Sequence, residues 1–211
     1  MELSSLCNKV KALGYFGSFA RDEYVEGISD VNVFAITSDK SVLLELASEG
    51  YSPLVVSEEE LQGMCREGDP ICYYLLMDSK VVCGDLKANF VKTPYTCERL
   101  RKQIPSFLKM SIEGYKRGDE VSALNNAFKS FRSLIQWKKC LVSDNIPLSR
   151  ADLEESCREL GLECDVFEDL LRLRDTKTPI TIWSINKLYN VLKKYVELPF
   201  PSPAEEAFGK R

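Results

Sequence analysis

The sequence predicts an α+β protein: a small mixed β-sheet with flanking helices, followed by an all-α helical bundle. Three observations lead there. Short β-type segments near 13–17, 30–36, 53–56 and 71–83 are confined to the first 92 residues. Beyond Lys92-Thr93-Pro94 the apolar period changes from two to three or four and stays helical to near Leu198. The charge divides at the same place, with eight Lys and Arg against fifteen Asp and Glu over 1–92, and twenty against seventeen after it. The expected organisation is a sheet domain over 1–92, a helical domain over 93–198 and a loose proline-rich tail over 199–211.

Taken in order, residues 3–13 predict a first helix with Leu6, Val10 and Leu13 on one side. Ala12-Leu13-Gly14-Tyr15-Phe16 reads as a short buried strand, and Gly17-Ser18 as a turn into the start of a helix, whose unpaired N–H groups would suit phosphate. Ser29-Asp30-Val31-Asn32-Val33-Phe34 alternates polar with apolar residues, which predicts a strand with Val31 and Val33 inward and Asp30 and Asn32 together on the other face. Val42–Glu49 is a short helix closed by Gly50, and Pro53–Val56 a third strand. Ser57 and Glu60 form a capping box, which gives Glu58, Glu59 and Glu60 a helix-start role. Ile71–Met77 and Lys80–Cys83, separated by Asp78-Ser79, predict a strand-turn-strand, with Asp78 and Asp85 as turn residues.

In the second half, Pro94 opens a helix capped by Thr93 and running to Gly118, with Pro105 bending it. Val121, Leu124, Phe128, Phe131 and Ile135 mark the core side of the next helix, started by Asp119 or Ser122. Lys129, Arg132, Gln136 and Lys139 form a neighbouring basic stripe, read as a solvated face with contact to phosphate as the alternative. Ser149 caps a helix ending at Gly161, and Asp165 another through Arg174. Ile182, Ile185, Leu188, Val191, Leu192 and Tyr195 line a last one, giving about five helices and an up-and-down bundle.

Composition removes whole reaction classes. The chain has no histidine, so Ser-His-Asp hydrolases, Cys-His proteases and histidine-based ribonucleases are excluded in their usual form. No stretch is apolar for long enough to cross a bilayer and the N-terminus lacks a signal-peptide run, so a cytoplasmic protein is expected. The eight cysteines include no C-x-x-C pair, which argues against zinc. They read as small buried apolar residues. Intracellular disulfides, a property of hyperthermophile proteins, remain the open alternative.

A strand, Gly17-Ser18, a gap of about ten residues and then an Asp-x-Asn on a second strand resembles the signature of polymerase-beta-type nucleotidyltransferases, in which the last residue is a second aspartate. Ala20-Arg21 after Gly-Ser adds to the match. The resemblance implies that Gly17, Ser18 and Arg21 contact the phosphates of a nucleoside triphosphate, and that Asp30, with Asn32 in the second position, binds Mg2+ or Mn2+ at the catalytic centre. It also implies a third carboxylate on a later strand, where the sequence offers Pro53. A carboxylate about 4 Å from a divalent ion, at an effective dielectric of about 20, contributes roughly 8 kcal/mol of gross Coulomb attraction. The Asn32 amide brings none of that charge. The helical half resembles the HEPN-type bundles found beside minimal nucleotidyltransferases in prokaryotes, through Leu171-Arg172-Leu173-Arg174-Asp175. Active members follow the Arg with a His after four to six residues, and none is present.

These readings give three functions. The first is a nucleotide- and metal-binding module with weakened or lost transferase activity. The second is an active magnesium-dependent transferase that moves a nucleoside monophosphate to an unknown acceptor. The third is a non-enzymatic regulatory partner of toxin-antitoxin type, forming a homodimer through the helical domain or binding another protein.

Overall fold

The computed structural model describes residues 3–204. The chain divides into two compact units, Met1–Tyr24 with Ser29–Thr96, and Val25–Ile28 with Cys97–Arg211. The fold is α+β, as the sequence predicts.

The first unit is built on strands β1 (Ala12–Phe16), β2 (Asn32–Ile36), β3 (Ser52–Val56) and β4 (Ser79–Gly84), in the order β3-β2-β1-β4. β1 runs antiparallel to β2 and β4, whereas β2 and β3 are parallel and joined through α1 (Ser41–Ser48). Both faces of the sheet are covered. Leu13, Val33, Ala35 and Val55 pack with Leu3, Leu6, Val42 and Leu46 on one side. Ala12, Phe34, Ile36 and Val56 pack with Leu61, Cys65, Cys72 and Leu75 on the other. The expected alternation therefore stops at Asn32: the strand starts there, Asp30 and Val31 precede it, and Val33 to Ile36 are buried whichever way they point. Gly14 is required by close approach, since a Cβ there would lie 2.7 Å from the Phe34 ring and 2.5 Å from the Lys80 carbonyl.

Two further expectations about elements are corrected here. The helix expected over 3–13 is a single 3-10 turn at Leu3–Leu6. Leu6 and Leu13 do reach one apolar cluster, but Leu13 does so from β1. Ile71–Met77 is not a strand but lies within α3 (Pro70–Met77), because the Asp69 carboxylate accepts the Ile71 N–H and Pro70 stands at the first helical position. The short apolar run fits either element, and the cap decides. The capping box of α2 (Glu58–Glu67) forms as expected: Ser57 Oγ accepts the Glu60 N–H at 3.1 Å and Glu60 Oε2 accepts the Ser57 N–H at 2.6 Å.

All eight cysteines are paired, as Cys7–Cys83, Cys65–Cys72, Cys97–Cys140 and Cys157–Cys164. The reading of them as simple apolar fillers is thereby corrected. Five of the eight are nearly or fully inaccessible from the start: Cys65, Cys72, Cys97, Cys140 and Cys157 are buried. Among the described residues no helix is long and apolar enough to cross a membrane.

The second unit contains α4 (Pro94–Lys116) from Cys97 onward, α5 (Glu120–Val142), α6 (Arg150–Glu159), α7 (Cys164–Asp175) and α8 (Ile182–Leu192). α4 continues through Pro105. Leu124, Phe128, Phe131 and Ile135 are buried as expected, but Val121 is exposed. Phe167 stacks on both Phe128 and Phe131, with ring centroids 5.6 and 5.5 Å away. Asp119, Ser149 and Thr181 cap α5, α6 and α8 through their side chains. Asp165 does not cap α7. It lies in the first turn and pairs with Lys187 at 2.8 Å, while Glu163 holds the cap position without a side-chain bond. The Thr93 hydroxyl, expected to cap α4, donates instead to the Glu67 carbonyl. The start of the expected loose tail is anchored, with the Tyr189 hydroxyl donating to the Phe200 carbonyl at 2.9 Å and Ser202 buried. The rest of it, 205–211, lies outside the described residues.

Candidate functional site

β1 ends in extended backbone at Phe16, and Gly17 then takes φ +78°. That left-handed conformation is open to glycine and strained for other residues. A single 3-10 turn, Gly17–Phe19, follows; the longer helix expected to begin here does not form. The Gly17 carbonyl accepts the Ala20 and Arg21 N–H groups, and the Ser18 carbonyl accepts that of Glu23. Phe19 packs on Tyr15 with centroids 4.7 Å apart and meets the Tyr24 ring edge-on at 5.5 Å. Tyr15 also lies beside Tyr51, and burial, then the Tyr51 charge and hydrogen bond, raise its pKa.

Asn32 belongs to this turn. In the sheet register it pairs with Phe16 on β1 and Ser52 on β3, and Phe16 pairs with Ser79 on β4. Ser52, Asn32, Phe16 and Ser79 thus form one row with a shared face. A Cβ on Gly17 would touch Asn32 Nδ2 at 3.4 Å. Among the described residues the half-buried Asn32 carboxamide has no hydrogen-bond partner, and the N–H groups of Ser18 and Phe19 have no acceptor. Asp30 is exposed and lies just ahead of β2. Pro53 is level with Val33, so it shares the face opposite to that of Asn32. The β3 residue beside Asn32 is Ser52, which offers a hydroxyl and no charge.

Arg21 is engaged inside the unit. Its guanidinium pairs with the Asp78 carboxylate and, at 2.8 Å, with Glu23. Burial works to lower its pKa, and hydrogen bonds to Asp78 and then Glu23 outweigh that effect, holding it above the ordinary arginine value. Asp78, whose side chain is only 5% exposed, also accepts the Gly17 N–H on its backbone carbonyl at 3.1 Å. Asp78, expected as a turn residue, is instead a buried partner of Arg21. No local pattern reveals a partner 57 residues away.

Among the described residues no three His, Cys, Asp or Glu side chains are grouped as a metal site. Asp30, the Asn32 amide and the Ser52 hydroxyl supply at most one charge, whereas a hard divalent cation takes six or more oxygens. Such donors fit an ion that arrives with ligands of its own, not one held by the protein alone.

The stripe on α5 is not the solvated face expected of it: Lys129, Arg132 and Lys139 are half-buried and Gln136 is buried. Gln136 donates to the Pro147 carbonyl, and Lys139 pairs with Glu159. Arg174, in the stretch that carries the helical-domain likeness, is buried with its guanidinium 3.9 Å above the Phe128 ring. Compared with models of protein families and with characterised proteins, the chain matches none in sequence. Fold and site define an α+β protein with a four-stranded mixed sheet and the polar residues Asn32 and Ser52 side by side near a glycine turn.

Proposed function

We propose that the first unit is a nucleotide-binding module of the nucleotidyltransferase type in which transfer is weakened or lost. The observation that supports this reading is the unpartnered Asn32 carboxamide against the left-handed Gly17 turn. Phosphate oxygens would accept from the N–H groups of Ser18 and Phe19 and from the Asn32 amide. Mg2+ or Mn2+ would enter with the triphosphate, which supplies most of its oxygens, and Asp30 would add the one protein charge. Phosphoryl transfer depends on metal ions that neutralise charge at the reacting phosphorus. With an amide at 32, a hydroxyl at 52 and a proline facing away at 53, the chain provides little of that charge. The four cross-links fit any setting that keeps such bonds oxidised, either an oxidising compartment or the cytoplasm of a hyperthermophile.

Calorimetric titration with ATP and Mg2+ should detect binding in the wild type, and Asn32→Asp should tighten the metal-dependent part. Incubation with labelled triphosphates should give little incorporation. Efficient transfer to any acceptor would establish an active transferase instead, and absence of nucleotide binding would remove the reading altogether.

A further inference from the structure

We propose that Arg21 is a positioning residue that sets the Gly17 turn through Asp78, and that it does not contact the phosphates itself. For its binding arm the inference rests on the nucleotide reading given above. Asp78 holds the segment Gly17–Arg21 at both ends. Its backbone carbonyl takes the Gly17 N–H at the first residue, and its carboxylate takes the Arg21 guanidinium at the last. Between these anchors the Gly17 carbonyl closes the turn on the Ala20 and Arg21 N–H groups, at 3.0 and 3.2 Å. The segment is thereby fixed to the α3–β4 junction, and the Ser18 and Phe19 N–H groups are left facing no acceptor among the described residues.

Energetics keep Arg21 in this role. The Asp78 carboxylate is almost completely shielded from water, so moving the guanidinium to a ligand would take the paired positive charge away from a buried negative one. A second acidic partner, Glu23, holds the same guanidinium on its Nε side, so the planar group is occupied along two edges. A phosphate could reach only the remaining Nη2 without displacing a carboxylate, whereas the Ser18 and Phe19 N–H groups of the turn have no protein acceptor to displace among the described residues. The pattern Gly-Ser-x-Ala-Arg thus carries its arginine for the shape of the loop.

The two roles predict opposite signs in one variant. If Arg21 touched phosphate, Asp78→Asn would release it from a competitor and strengthen ATP binding. As a positioning residue, Asp78→Asn loosens the turn and weakens ATP binding by about tenfold. Arg21→Gln should give a similar loss, and Arg21→Lys should recover part of it, because an ammonium restores the charge but not the two-edged fit. Hydrogen exchange of the Gly17 amide, followed by NMR without nucleotide, supplies a reading that does not depend on binding. Exchange should accelerate at least tenfold in Arg21→Gln and less in Arg21→Lys. Unchanged Gly17 exchange in Arg21→Gln, or tighter ATP binding in Asp78→Asn, would overturn the proposal. If the wild type binds no ATP, the nucleotide reading fails while the exchange result still decides the clamp. Should Asp78→Asn fail to fold, the two Arg21 variants decide it by the same exchange measurement.

Discussion

Removing the Cys7–Cys83 bridge by a Cys7→Ala/Cys83→Ala double substitution tests whether the cross-links carry stability. The two half-cystines are 76 residues apart and join the segment before β1 to the outer strand β4. Closing a loop of that length in the unfolded chain is worth about 4.5 kcal/mol on the chain-entropy account. The same account gives only about 2.4 kcal/mol for Cys65–Cys72, where the separation is seven. At roughly 2–4 °C per kcal/mol for a protein of this size, the double variant should melt about 9–18 °C lower and the Cys65→Ala/Cys72→Ala variant about half as far. Differential scanning calorimetry without reductant measures both shifts. Thiol titration of the denatured, unreduced wild type should find no free thiols. Eight titratable thiols, or equal small shifts in the two variants, would refute the reasoning.

Other outcomes follow from particular contacts. Gly14→Ala should destabilise the first unit by about 1–3 kcal/mol in urea melts, since its methyl would meet the Lys80 carbonyl and the Phe34 ring. Phe131→Ala removes a fully buried ring stacked on Phe167 and should cost about 3–5 kcal/mol in the helical unit, by the same assay. Ser57→Ala should lose about 1 kcal/mol through the cap of α2. The pKa of Glu60 is lowered by its hydrogen bond to Lys40 and then by the Ser57 N–H. Its contribution is therefore complete above the ordinary value of 4.5 and is lost as pH falls through the lower folded value. Acid melts should show this loss in the wild type and not in Glu60→Gln.

What was legible in the sequence was local. Ser57 and Glu60 are three residues apart, and both halves of their box form. Gly50 after α1 and Ser149 before α6 are equally self-contained signals. Asp69-Pro70 is an equally local helix start, yet the β-type residues of Ile71–Met77 point to a strand. The neighbourhood of Asn32 was half legible: alternation separates it from Val33, but only the sheet register shows that Ser52, not Pro53, stands beside it. The Arg21–Asp78 pair and the cysteine connectivity are long-range contacts with no local trace. Eight cysteines allow 105 pairings, and sequence alone does not choose among them. The four residues Val25–Ile28, which belong with the helical unit, are marked by no change in composition.

Each bridge begins and ends inside one unit, two to each. A protease that severed the backbone near Thr96 would therefore leave no covalent tether between the pieces. On a denaturing gel run without reductant they would migrate separately, each still carrying its own pair of internal ties.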